Sequence, residues 1–248
     1  MLQLNNITKS FSGVFEPVLK GIDFSLEPKD FCVVIGANGS GKSTLLKVIS
    51  GEHKPDSGKI KRRGLISQVV QDVSRGTIPA MTLLENVALS QMRNKKPKFS
   101  FYSRYKKEVM EKIEALNIGL EKYIDQPLGA LSGGQRQTIA TLMAINSGGQ
   151  ILLLDEHTSA LDPKMQVTLM EYTVKSVLEQ QLTTMMITHN MEDAIRYGNR
   201  LIMLHKGRIV VDMKGKEKAE LDAKTLLSLF HKYEDQSLLS ERGKCPLI

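Results

Sequence analysis

The sequence predicts an α/β fold with a parallel β-sheet at its core and a smaller antiparallel β layer ahead of it. Three observations predict this. Apolar runs of strand length at Phe31–Ile35, Ile151–Leu154 and Thr183–Thr188 alternate with helical patterns, the order of buried parallel strands joined by crossover helices. Ahead of them, Leu2–Phe11 alternates apolar and polar residues and Leu19–Leu26 forms a second strand pattern, as half-buried strands do. The third is a glycine-rich stretch between the first apolar run and a helical pattern. At 248 residues the chain can bury a substantial core, as one large α/β domain or two small ones.

Gly36, Ala37, Asn38, Gly39, Ser40, Gly41, Lys42, Ser43 and Thr44 carry the phosphate-binding pattern G-x-x-x-x-G-K-[ST] in the strand–turn–helix setting it requires. Glycines without a Cβ let successive backbone N–H groups turn inward and approach a phosphate closely. The helix that follows adds unsatisfied amides and the positive end of its dipole. Lys42 would bring a full charge to the β- and γ-phosphates, and the Ser43 hydroxyl is placed to ligate Mg²⁺. A turn that only joins strand to helix is the alternative, and the complete motif outweighs it. A nucleotide-binding protein is expected.

Composition is that of an ordinary globular protein. No basic and apolar leader opens the chain, and no apolar run nears the ~20 residues of a membrane span. Work at a membrane would therefore be peripheral. The two cysteines, Cys32 and Cys245, suggest neither a metal site nor a disulfide framework. The net charge is +7. Arg93, Lys95, Lys96, Lys98, Arg104, Lys106 and Lys107, uninterrupted by any acid, equal that whole excess. With Phe99, Phe101, Tyr102 and Tyr105 interleaved, this segment could meet a partner protein, anionic headgroups or, least expected, nucleic acid. A solvated surface insertion fits equally.

Along the chain, Gly51 should end the first helix. Pro55-Asp56-Ser57-Gly58 reads as a turn, Lys59–Gly64 as an exposed polar stretch, and Leu65–Asp72 as a strand running into a loop. Helical spacing begins near Thr82 and resumes over Val109–Leu116, with Gly119 closing it. Leu131-Ser132-Gly133-Gly134-Gln135 then opens another helix. Ser132 could cap it or bond a phosphate, while the glycines leave its amides accessible, so this is a second anion cradle.

The strand Ile151–Leu154 ends in Asp155 and Glu156. Ligands of open parallel sheets sit at such strand ends. Asp155 would hold Mg²⁺ directly or through water, and Glu156 would reach the water attacking a γ-phosphate. A turn or cap is the plainer use of two such carboxylates. His189 ends the strand Thr183–Thr188; a γ-phosphate contact is favoured there over a merely polar strand end, with Asn190 as the next N-cap. His205-Lys206-Gly207-Arg208 is a hairpin signal. From about Lys214 the chain is charged and helical, and the last dozen residues are expected to be disordered.

The motifs Gly36–Thr44, Gln71, Leu131–Gln135, Ile151–Glu156, Ser159–Asp162 and His189, in this order, resemble the nucleotide-binding subunit of ATP-binding-cassette (ABC) transporters. L-S-G-G-Q is the specific element. The resemblance covers Leu2 to about Leu229 and implies a P-loop NTPase with a RecA-like parallel-sheet core, an N-terminal antiparallel β layer and an inserted helical subdomain. Its implied bounds are a cassette over 1–230, with a nucleotide-binding core of about 1–88 and 148–230, a helical subdomain of about 89–147, and a flexible tail at 231–248. It implies that Phe11, on spacing alone no more than a packing aromatic, stacks on adenine. Gln71 would sense Mg²⁺ and the attacking water and link to the membrane subunit.

The same resemblance implies that Ser132, Gly133, Gly134 and Gln135, with Asp162 at the interface, serve in trans on ATP held by the opposite subunit. His189 would be a switch histidine. Partners would be a second cassette in a homodimer, transmembrane permease subunits and, indirectly, a solute-binding protein, at the cytoplasmic face of the inner membrane; no nucleic acid is expected. Such a subunit hydrolyses ATP with Mg²⁺ to drive solute import. Asp155–Pro163, Thr188–Met191 and Tyr197–Met203 resemble a bacterial subgroup expected to import small organic solutes such as aromatic amino acids. A soluble ABC ATPase of an assembly pathway is the alternative. Two departures stand out: His157, where the family usually carries proline, and the basic Arg93–Lys107 insertion.

Overall fold

The computed structural model describes residues 1–70, 72, 76–92 and 105–242. Gln71 and most of the basic segment, Arg93–Arg104, lie outside the described residues. In chain order the elements are β1 (Leu2–Lys9), β2 (Leu19–Leu26), β3 (Phe31–Ile35), α1 (Lys42–Ser50), β4 (Ser57–Arg62), β5 (Ile66–Val69), α2 (Leu83–Met92), α3 (Lys106–Glu114), α4 (Gly133–Asn146), β6 (Ile151–Asp155), α5 (Pro163–Glu179), β7 (Thr183–Ile187), α6 (Met191–Arg196), β8 (Arg200–His205), β9 (Arg208–Lys214), α7 (Lys216–Ala219) and α8 (Ala223–Arg242). The chain divides into two compact units.

One unit comprises residues 3–24, 31–60 and 187–248. Here β1 lies between β2 and β4, and β8 between β3 and β9. The apolar run of β3 is buried at every position and pairs in parallel with β8, Val34 opposite Ile202. Burial on both faces is why its residues read as a continuous apolar run. β8 and β9 form the expected antiparallel hairpin. Lys206 and Gly207 both take positive φ, 45° and 80°, as a two-residue type I′ turn demands. α1 ends at Gly51, in the left-handed conformation with φ 90°.

Lys59–Gly64 is largely exposed, as its polarity predicted, but Ser57–Arg62 forms strand β4, so the turn read at Pro55–Gly58 gives way to a strand from Ser57. Its sequence, SGKIKR, is exposed except for Ile60, so no alternation marks it. It is set by pairing beside β1, where the backbones approach so closely that a Cβ on Gly58 would lie 2.4 Å from the Asn6 carbonyl. α3 also stops at Glu114, short of Gly119, while α8 continues through Arg242; residues 243–248 lie outside the described residues.

The other unit comprises residues 1–2, 25–30 and 61–186, with β6 lying between β5 and β7. β5 and β6 are parallel, Gln68 opposite Leu153. A hydrophobic core in this unit gathers Leu83 and Val87 of α2, Val109 and Ile113 of α3, Ile139 and Leu142 of α4, and Leu169 of α5, residues from within and from both sides of the segment 89–147. α2 starts with a reciprocal cap: Thr82 Oγ1 accepts from the Glu85 N–H at 3.2 Å, and Glu85 Oε2 accepts from the Thr82 N–H at 2.7 Å. Buried Asn86 then ties down the chain before α2. Its amide donates to the carbonyls of Ile78, Met81 and Thr82, and its Oδ1 accepts from the Ile78 N–H.

Candidate functional site

In the first unit described, β3 delivers the chain into the loop 36–41. Gly36 and Gly41 have φ of 146° and 104°. A Cβ on Gly36 would stand 2.2 Å from the Leu204 carbonyl and one on Gly41 2.9 Å from that of Val18, so both positions require glycine. Lys42 opens α1 and is buried; its Nζ donates to the carbonyls of Gly36 at 2.7 Å and Ala37 at 3.0 Å. The side-chain Oγ of Ser40 is buried without a hydrogen-bond partner. A buried hydroxyl left unsatisfied is costly, and an anion in the loop would satisfy it.

In the same unit His189 is exposed directly after the buried Thr188, whose N–H donates to the Val34 carbonyl of β3. Asn190 is the N-cap of α6, accepting from the N–H groups of Glu192 and Asp193, as its sequence position suggested. Burial, and then the Glu192 carboxylate, raise the pKa of Asp193 above its ordinary value. Phe11 is partly exposed, meets His53 edge-on at 5.2 Å between ring centroids, and lies 5.4 Å from the Lys9 ammonium. An ion pair fixes the lysine there, since Lys9 Nζ bonds Asp56 at 2.9 Å.

In the other unit, Ser132 is the N-cap of α4 and forms a complete capping box. Its Oγ accepts from the Gln135 N–H at 3.3 Å while the Gln135 side chain accepts from the Ser132 N–H at 3.0 Å. A Cβ on Gly133 would meet nothing within 4 Å, whereas one on Gly134 would press Leu161 at 3.0 Å. Gly133 therefore leaves the helix start open, and Gly134 lets the Leu161 side chain and the Ala160 carbonyl approach. Asp162 caps α5, accepting from the Met165 N–H at 3.0 Å with Pro163 at the first helical position.

β6 ends in buried Asp155, and Glu156 follows with φ 49°. His157 is buried, its Nε2 3.4 Å from Thr173 Oγ1 of α5. The same unit holds a cavity of about 510 Å³ lined by Gln68 and Val69 of β5, Ile78, Asn86 and Leu89 beside and within α2, and Met143 of α4. No sequence signal marked it, because its lining comes from separate segments with no shared motif.

No cluster of three or more metal-ligating side chains occurs among the described residues. Mg²⁺ does not need one: it is commonly held by one or two protein oxygens plus substrate phosphates and water. A hydroxyl such as Ser43 and a carboxylate such as Asp155 are hard oxygen donors of that kind. Each by itself is chemically suited to Mg²⁺.

A phosphate loop on a buried strand, a carboxylate pair ending another strand and a capped Ser-Gly-Gly helix start define an α/β ATPase of the phosphate-loop class. Residues 19–159 match the family model described as ABC transporter. The chain is 42% identical over 247 residues to the tyrosine transport ATP-binding protein of Clostridioides difficile, covering 93% of this chain and 98% of that protein. It is 33% identical to the thiamine import ATP-binding protein ThiQ of Photobacterium profundum, covering 79% and 83%. With the spermidine/putrescine import ATP-binding protein PotA of Mycoplasma mycoides it shares 34% identity, and the match spans 84% of this chain and 60% of that longer protein. Among solved structures, the dimeric ATP-binding cassette MJ0796, in a post-hydrolysis state with ADP and phosphate, aligns with a TM-score of 0.76 and 30% identity over 86% of this chain and 98% of that one. The chain belongs to the ABC transporter family, as an ATP-binding and ATP-hydrolysing subunit.

Proposed function

We propose that this subunit powers the import of a small organic solute, an aromatic amino acid such as tyrosine. Two copies close head to tail on two ATP molecules, hydrolysis lets them part, and permease subunits in the membrane receive the motion. A solute-binding protein would deliver the cargo, and the cassette would work peripherally at the cytoplasmic face of the inner membrane. No helix among the described residues is long and apolar enough to cross a membrane, in keeping with that placement. The observation that carries the reading is the match over nearly the full length of the tyrosine transport subunit.

In this reading Gly36–Thr44 cradle the triphosphate and Lys42 neutralises its β- and γ-oxygens. Phe11 supports the adenine. Ser43, Asp155 and, through water, Gln71 would hold Mg²⁺, which when bound draws charge from the reacting phosphoryl group. Glu156 accepts a proton from the attacking water, and His189 donates to the γ-phosphate. Ser132, Gly133, Gly134 and Gln135 close on the nucleotide of the opposite copy, with Asp162 at the contact between copies. Catalysis is positioning and charge neutralisation, with little covalent work for the protein. The 510 Å³ cavity, bordered by Gln68 and Val69 just before Gln71 and by the half-exposed Ile78 and Leu89, supplies an apolar seat for a permease segment.

The test is Glu156→Gln. With Mg²⁺ and ATP this variant should run as a dimer on size exclusion, return to monomer with ADP, and lose turnover by orders of magnitude while still binding ATP. A variant that stays monomeric and hydrolyses at the normal rate would overturn the reading. Uptake of radiolabelled tyrosine by cells carrying the matching permease, compared with other amino acids, tests the cargo.

A further inference from the structure

We propose that His157 is a positioning residue for hydrolysis: its buried ring, seated against Thr173 of α5, holds Glu156 in a left-handed backbone conformation and so fixes the direction of the carboxylate. The inference rests on the reading of Glu156 as the group that activates water.

The starting observation is the backbone. Glu156 has φ 49°, a region that residues with a Cβ enter at a cost and keep only where their surroundings over-determine it. The surroundings here are short and specific. The Glu156 carbonyl accepts from the Ser159 N–H at 3.0 Å and from the Ser159 hydroxyl at 2.9 Å. The Leu161 N–H donates to Thr158 at 3.1 Å, and Asp162 then caps α5. A tight turn thus runs from the end of β6 into α5; it turns two large side chains inward, Leu161 and His157, and His157, 1% exposed, is the one beside Glu156.

The contact with Thr173 has a direction. The Thr173 hydroxyl donates to the Leu169 carbonyl at 2.8 Å, so toward the imidazole its oxygen acts as acceptor. His157 must then carry its proton on Nε2 and donate across the 3.4 Å separation. Donating there from a buried position, the ring anchors the turn against α5. Proline at this position could not serve in the same way, because it pushes the preceding residue toward extended backbone. A histidine tolerates the left-handed neighbour and supplies a donor that reaches the α5 face.

Steady-state ATP hydrolysis and nucleotide binding by the purified full chain test this with four variants. His157→Ala should lower kcat about tenfold or more while KM and ATP affinity stay within about twofold, since only the aim of the carboxylate changes. His157→Gln keeps an N–H donor near the Nε2 position and should recover most of kcat. Thr173→Val, equal in shape but without the acceptor, should lower kcat severalfold with its melting midpoint little moved. If His157→Ala does not fold, the glutamine and valine variants decide alone. Thr173→Val at wild-type kcat, or a loss of ATP affinity equal to the loss of kcat, overturns the proposal. Normal hydrolysis by Glu156→Gln overturns the functional reading and this inference with it. An inactive Glu156→Gln beside a fully active His157→Ala overturns this inference alone.

Discussion

Lys42 shows how much of the site is settled by single residues. Its ammonium is buried at the start of α1 and bonded to the carbonyls of Gly36 and Ala37, the first two residues of the loop. The loop's own backbone therefore holds the charge near where a triphosphate would lie, so little side-chain entropy remains to be lost on binding. A hydrogen bond to a charged group contributes about 1.5–3 kcal/mol, equivalent to roughly ten- to a hundredfold in affinity. Lys42→Ala should weaken ATP by that factor in a fluorescent-nucleotide titration, with Glu156→Gln as the tight-binding reference. Unchanged affinity would remove the lysine from the phosphate site. Ser40 complements it: its hydroxyl is buried with no hydrogen-bond partner, and a bound anion would satisfy it.

Among the elements, helix starts were legible and the edge of the β layer was not. Ser132 with Gln135, Asp162 with Pro163, and Asn190 each cap the helix that their sequence announces, because a cap is decided by residues within one turn. β4 is decided by its neighbour. Ser57–Arg62 carries one half-buried apolar side chain, and the strand exists through pairing that no local pattern records. The site divides in the same way. Its loops and carboxylates are local motifs, whereas the burial of His157 depends on α5 folding over the end of β6.

That burial gives the β6–α5 connection a pH dependence with a definite sign. The folded-state pKa of His157 is about 4 against an ordinary 6.5. Between these values the unfolded chain binds a proton that the folded one refuses. Stability from this group is therefore complete above about pH 6.5 and declines as pH falls toward 4. The loss reaches about 2 kcal/mol at pH 5 from the shift alone. Urea unfolding at pH 7 and pH 5 should show the wild type losing more stability than His157→Gln by about that difference; equal losses would mean the imidazole is not held neutral.

At the scale of the whole molecule, the two anion cradles pose a question that one copy does not answer. The loop ending in Lys42 and the helix start capped by Ser132 belong to different compact units, and the proposed cycle gives each to a different nucleotide. In a head-to-tail pair, each composite site takes Lys42 from one copy and Ser132 from its mate. Consider two chains that both carry Glu156→Gln, one with Lys42→Ala and the other with Ser132→Arg. Either chain alone can form only pairs in which both sites are damaged. Mixed, they form a pair in which one site collects both lesions and the other has an intact lysine and an intact serine. ATP should therefore produce a dimer peak on size exclusion from the mixture and from neither component. If both cradles served one nucleotide within a single copy, mixing would restore nothing. A mixture that stays monomeric with ATP, while the Glu156→Gln parent dimerises, would rule out the head-to-tail arrangement and leave ATP hydrolysis to be explained within one chain.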